Sequence, residues 1–173
     1  MLWEIEVEMG KTSSPSKKSN PIKVLVAHDN KSGYHTTKSH KFAERLDEDP
    51  RYRTIFDKKV WTPKENTSRT EINKREKEMV KKADVITRIV PPTSLTGQER
   101  RDGALSEIRK AIHAGKPIIE IFERGARDSP NRPLSEKNYE NRVPIHLQPG
   151  EHLDQGFQKG LEKLKKKQVL DRY

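Results

Sequence analysis

The stretches Ala83-Asp84-Val85-Ile86, Asp102-Gly103-Ala104-Leu105-Ser106-Glu107 and Gly115-Lys116-Pro117-Ile118-Ile119-Glu120-Ile121-Phe122 decide the fold of this chain. They predict a buried strand, the opening of a helix and a second buried strand, an order that is typical of a parallel sheet. Ligands of open α/β sheets bind outside the carboxyl ends of the strands. Glu107 falls near the start of the helix that follows such a strand, so it is a candidate catalytic carboxylate.

The rest of the chain from Ile22 extends this alternation of strands and helices. Apolar runs and spacing predict further strands over 22–27, 53–61, 85–90 and 143–147, and helices over 39–46, 103–114 and 151–169. Another helix, capped by Ser68 or Thr70, carries Ile72, Met79 and Val80 on one side. This order predicts a flavodoxin/Rossmann-like three-layer α/β sandwich with a five-stranded parallel sheet.

The composition predicts one domain with a modest core. The chain has 173 residues, of which 30% are hydrophobic and 36% charged. Residues 1–20 combine a short acidic opening with a Lys/Ser/Thr/Pro stretch, and we expect a flexible or edge-strand appendage to a single domain over 21–173. Zero cysteines exclude thiolate chemistry, and no apolar run is long enough to span a bilayer, so a cytoplasmic protein is expected.

Two carboxylates share the apolar stripes of their predicted helices. Glu76 lies four residues after Ile72 and four before Val80, and Glu107 lies between Ala104 and Ala111 at spacings of three and four. Buried charges are costly unless they are paired or functional. Each is therefore either a cleft residue or the partner of a Lys or Arg, of which the chain has 36.

The core of the sequence resembles the nucleoside 2-deoxyribosyltransferase family, which includes the 2'-deoxynucleoside 5'-phosphate N-hydrolases. The resemblance lies in the run from Ile72 through Ala83-Asp84-Val85-Ile86, in Asp102-Gly103-Ala104-Leu105-Ser106-Glu107-Ile108-Arg109-Lys110-Ala111, and in Ala114-Gly115-Lys116-Pro117-Ile118. In that family a Gly-containing turn leads into the helix that bears the nucleophilic Glu. The resemblance implies that Glu107 is the nucleophile and that Glu76 occupies the second acidic position.

These residue types fit cleavage or transfer of an N-glycosidic bond, because a carboxylate can trap the sugar at its anomeric carbon before water or a second base accepts it. Glu76 or Asp102 could protonate the leaving base. No metal or organic cofactor is expected, and the substrate would be a nucleoside or nucleotide. The candidate substrate-binding residues are His28, Asp29, Lys31, Ser32, Tyr34, Asp84, Ser94, Arg101 and Gly103.

Two other functions stay open at this point. The opening Val24-Leu25-Val26-Ala27-His28-Asp29 is similar to that of Toll/interleukin receptor-like domains, whose enzymatic members cleave NAD with a Glu borne on a helix. The formal net charge of +10 also suits a non-catalytic protein that binds a nucleotide or nucleic acid through a basic surface. Self-association is expected from the family resemblance, since its members commonly complete their sites in this way.

Overall fold

The computed structural model describes residues 20–27, 33–56, 66–92 and 103–170, without the side chains of 33–37 and 103–104. Strands and helices alternate along these ranges. In chain order they are β1 (Ile22–Ala27), α1 (Gly33–Glu48), β2 (Tyr52–Thr54), α2 (Arg69–Lys82), β3 (Val85–Val90), α3 (Gly103–His113), β4 (Ile118–Phe122), α4 (Leu134–Lys137), β5 (Arg142–His146) and α5 (Leu153–Lys166).

The five strands form one parallel sheet in the order β2-β1-β3-β4-β5, as the sequence predicts. The strand expected over 53–61 is present only as Tyr52–Thr54, and residues 57–65 lie outside the described ranges. The single-turn helix α4 was not predicted. The expected division into an appendage and one domain stays a prediction, because residues 1–19 are also outside the description.

One face of the sheet is covered by α1 and α5. Phe42 of α1 and Phe157 of α5 meet edge to face, with ring centroids 5.9 Å apart, over Ile119 and Ile121 of β4. The α5 helix approaches closely because Gly160 has no side chain: an added Cβ there would lie 2.5 Å from Ile119 Cγ2. Burial of this apolar face is the main stabilising contribution on this side.

The opposite face is covered by α2 and α3. Val80 of α2 and Ile108 of α3 belong to one buried cluster with Leu25, Ile86 and Ile118 of the three central strands. Ser68 begins α2, and its Oγ accepts a hydrogen bond from Glu71 N at 3.2 Å, which satisfies one of the helix's first amide groups. Helices on both faces therefore complete the three-layer sandwich.

Candidate functional site

The strand order creates a cleft position between β1 and β3. The chain leaves β1 toward β2 on one side and returns to place β3 on the other, so the connections that follow β1 and β3 diverge at the carboxyl edge of the sheet. Ligands of doubly wound sheets bind at such a switch point. The structure thus places the start of α3, and with it Glu107, at the edge where a ligand is expected.

Most of the predicted substrate-binding residues belong to the connections at this edge. Tyr34 and Gly103 lie in the first turns of α1 and α3, where only the backbone is described. The other predicted residues of these connections lie outside the described ranges: His28, Asp29, Lys31, Ser32, Ser94, Arg101 and Asp102. Their contribution to the site stays a prediction.

Glu107 is buried in α3, with 1% of its surface exposed. The neighbouring Ile108 and Ala111 pack into the cluster with Leu25 and Ile86 of the sheet. The sequence spacing predicted that Glu107 lies on or beside this apolar stripe, and its burial agrees. A carboxylate in such a place is held rigidly by the packing around it, as a nucleophile requires.

Glu76 is also buried, at 8% exposed, but its carboxylate forms an ion pair with Lys110 of α3. Lys110 Nζ also donates to Asn73 Oδ1 at 3.1 Å and to Ser106 Oγ at 3.0 Å, and Ser106 Oγ lies 3.4 Å from Glu76 Oε2. Glu76 therefore points inward as predicted, and it takes the second of its two predicted roles, the partner of a lysine. This polar seam fastens α2 to α3.

Asp84 lies at the other end of the sheet from the cleft. It precedes β3, and its Oδ2 accepts a hydrogen bond from Lys23 N at 2.9 Å, while its own N–H donates to Lys23 O at 2.8 Å. These bonds continue the ladder between β1 and β3 at the amino ends of the strands. This geometry separates Asp84 from a substrate bound at the carboxyl edge, because β3 lies between them.

A buried ionic cluster that the sequence reasoning missed lies on the α2/α3 face of the sheet. We call it the Glu120 network; its members are Glu120, Arg88, Arg132, Arg142, Asp128 and Glu136. Glu120 of β4 has no exposed surface and accepts from three arginines. Arg88 Nη1 donates to Oε2 at 2.9 Å, Arg132 Nη1 donates to Oε2 at 2.8 Å, and Arg142 Nε donates to Oε1 at 2.7 Å.

This network holds the connection between β4 and β5 against the sheet. Arg142 Nη2 donates to Asp128 Oδ2 at 2.8 Å, and Arg132 Nε donates to Glu136 Oε2 at 3.2 Å. Burial alone would raise the pKa of Glu120, but the surrounding arginines outweigh it and lower that pKa to about 2. The carboxylate is thus ionised at every pH at which the protein would work.

The signal for this network was present but weak. Glu120 interrupts an apolar strand, and Arg88 interrupts the neighbouring one. A charged residue in the middle of a buried strand indicates a partner at the same level of the sheet, and the register does place Arg88 beside Glu120. Arg132 belongs to an irregular connection, and no periodicity in the sequence points to it.

A separate cavity of about 750 Å³ opens at the carboxyl edge on the α1/α5 side. Its lining includes the basic Lys41 and Arg45 of α1. Lys38 Nζ lies 2.6 Å from Glu123 Oε2, and Arg45 Nε lies 3.3 Å from Asp154 Oδ1. Carboxylates therefore compensate much of the basic charge of this cavity, which lies on the other face of the sheet from α3.

The described ranges contain no group of three or more His, Asp or Glu side chains placed to hold a metal ion. None of the helices within those ranges combines the length and apolar character that crossing a bilayer requires.

Comparison with known proteins gives similarity in structure without a match in sequence. No protein-family model and no curated protein matches the chain. A 2-deoxyribosyltransferase from Bacillus psychrosaccharolyticus has a TM-score of 0.51 at 16% identity, over 78% of this chain and 95% of that one. A CMP N-glycosidase from Clostridium botulinum has a TM-score of 0.49 at 14% identity, over 81% and 98%.

The chain therefore has the fold of the 2-deoxyribosyltransferase, an α/β sandwich around a parallel sheet. The resemblance to the nucleoside 2-deoxyribosyltransferase family that the sequence indicates extends to this architecture.

Proposed function

We propose that this protein cleaves or transfers the N-glycosidic bond of a nucleoside or nucleotide, with Glu107 as the nucleophile. The observation that carries the proposal is the buried carboxylate of Glu107 near the start of α3, at the switch point of the sheet. The resemblance of the sequence from Ile72 to Phe122 to the deoxyribosyltransferase family and the shared fold support the same assignment.

In the first step, a Glu107 carboxylate oxygen attacks the anomeric carbon of the sugar. The bond from that carbon to the base nitrogen breaks, its electron pair goes to the base, and a glycosyl ester on Glu107 remains. Water then hydrolyses the ester, or a second base attacks the same carbon and displaces Glu107. The choice between hydrolysis and transfer is the choice between these two acceptors.

The leaving base needs a proton, and the structure narrows the donors. The carboxylate of Glu76 is occupied by Lys110, an arrangement that favours its ionised form and an anchoring role between helices. Asp102, just before α3, is then the carboxylate of the sequence motif that remains for proton transfer. We propose Asp102 as the general acid and Glu76 as the residue that holds α3 in position.

The experiment is chromatographic detection of free base after incubation with deoxynucleosides, their 5'-monophosphates, ribonucleotides and NAD. Glu107→Gln removes the nucleophile with little change in volume, and Glu162→Gln, at an exposed position of α5, is the matched control. We expect base release that Glu107→Gln abolishes and Glu162→Gln retains. Intact-protein mass spectrometry of quenched reactions should show a mass increase equal to the bound sugar.

The preferred member of the panel separates the enzymatic readings. Release of base from deoxynucleosides or their monophosphates supports the deoxyribosyltransferase-like reaction, while release of nicotinamide alone supports the NAD-cleaving alternative. A folded protein that releases no base from any of these compounds would refute the catalytic proposal and favour the binding role. Self-association, the other expectation from the resemblance, is measured by sedimentation of the purified chain.

A further inference from the structure

Arg88 is a buried arginine close to the cleft end of the central strand β3. It is 6% exposed and lies two residues before the end of the strand. The register places it beside Ala27, the last residue of β1, and beside Glu120 of β4, to which its Nη1 donates at 2.9 Å. The ion pair with Glu120 therefore fixes this guanidinium in the sheet, in the level nearest to the carboxyl edge.

The packing of α3 places Glu107 over the same level of the sheet. Ala111 packs in the cluster with Leu25 and Ile86, which are paired across β1 and β3. Glu107 precedes Ala111 by four residues, or roughly 6 Å toward the start of the helix. Arg88 follows Ile86 by two residues, or roughly 6.6 Å toward the carboxyl edge. Because α3 runs back from that edge, the two displacements match and Glu107 lies above the level of Arg88.

The charges of the described residues favour an interaction between them. Glu120, Asp128 and Glu136 of the Glu120 network bind three arginines apart from Arg88, which are Arg132, Arg142 and Arg109. Arg88 brings a fourth guanidinium to this face of the sheet. A buried cation and a buried carboxylate at the same level lower each other's cost of desolvation.

We propose that Arg88 is a positioning residue for Glu107: fixed by Glu120, its guanidinium keeps the Glu107 carboxylate anionic and directed to the cleft. The anion is the form that attacks an anomeric carbon, so the interaction would supply the reactive state of the nucleophile. Its consequence for catalysis rests on the proposed function, whereas the electrostatic coupling of the two side chains does not.

The test compares Arg88→Met with Arg142→Met. Each variant removes one of the three arginines of Glu120 and leaves two, so the damage to the network is matched, but Arg142 lies on the edge strand β5. The first readout is the titration of the Glu107 side-chain carboxyl by ¹³C NMR, its signal assigned by its loss in Glu107→Gln. The second is the pH dependence of kcat for base release.

We expect the titration midpoint of Glu107 to rise by about one pH unit or more in Arg88→Met and to stay unchanged in Arg142→Met. The acidic limb of the kcat profile should move upward in parallel, with kcat near neutral pH reduced about tenfold. Arg88→Lys, which keeps the charge, should restore the midpoint. If Arg88→Met does not fold, Arg88→Gln, which can still donate to Glu120, takes its place.

Equal shifts in the Arg88 and Arg142 variants, or no shift in either, would overturn the inference and leave Arg88 a structural member of the network. The NMR readout needs no turnover, so the two proposals can fail separately. A midpoint that moves only in Arg88→Met, in a protein whose base release survives Glu107→Gln, would refute the nucleophile and retain the coupling.

Discussion

The Glu120 network makes a quantitative prediction about the pH dependence of stability. The pKa of Glu120 falls from its ordinary 4.5 to about 2 in the folded protein, against the effect of burial and because of Arg88, Arg132 and Arg142. A folded-state pKa below the unfolded one adds stability that is fully present above about pH 5 and is lost as the pH falls toward 2. The difference corresponds to about 3 kcal/mol.

The perturbation is Glu120→Gln, which keeps the size of the side chain and removes the charge. It leaves three guanidinium groups around a neutral amide, a change that costs about 3 to 5 kcal/mol for a buried ion pair near neutral pH. Toward pH 2 the wild-type carboxylate is itself losing its charge, so the gap between the two proteins should narrow by about 3 kcal/mol. Urea unfolding followed by circular dichroism at a series of pH values measures it.

Glu78→Gln, at an exposed position of α2, is the control, and its stability should follow that of the wild type at each pH. Curves for wild type and Glu120→Gln that stay parallel from pH 6 to pH 2 would refute the reasoning. Parallel curves would mean that Glu120 titrates alike in the folded and unfolded states, and that its three arginines give no net stabilisation of the charged form.

Two further predictions concern the packing of the helices. In a double-mutant cycle of Glu76→Gln and Lys110→Met, the unfolding free energies should show a coupling of about 1 kcal/mol or more, because the pair is largely buried between α2 and α3; additive effects would contradict the seam. Gly160→Ala should lower the unfolding free energy, since the clash with Ile119 costs about 1 to 3 kcal/mol and alanine's helix propensity returns at most about 1 kcal/mol. Lys163→Ala, exposed on the same helix, is its control.

The sheet could be predicted from the sequence because its strands are short apolar runs with clear ends. Ile22–Ala27 and Val85–Val90 have the bounds that the sequence analysis gives them. The predicted stop at Gly115 is also present, with a φ of 67° that favours glycine. In each case the information lies within a few neighbouring residues, so local pattern is sufficient.

The partners of the buried charges could not be predicted in the same way. The spacing placed Glu76 and Glu107 on buried stripes, but it did not indicate that Lys110, four residues after Ser106, would reach Glu76 across the helix interface. The arginines of Glu120 come from positions 88, 132 and 142, which only the register of three strands and one irregular connection brings together. Long-range pairing of this kind depends on the finished sheet.

Two adjacent residues of α3 show how the fold holds the candidate nucleophile in place. Lys110 binds Glu76 of α2, whereas Arg109 Nε donates to Glu136 Oε1 of α4 at 2.7 Å. Successive residues on a helix point about 100° apart, so these bonds fasten α3 to neighbours on two different sides. The apolar contacts of Ile108 hold a third side against the sheet. Glu107 precedes these three residues directly, and a helix restrained from three directions keeps its carboxylate in one position relative to the cleft. Catalysis by a nucleophile depends on such placement to within about 0.5 Å, which gives the polar seams on both sides of α3 a functional reason as well as a structural one.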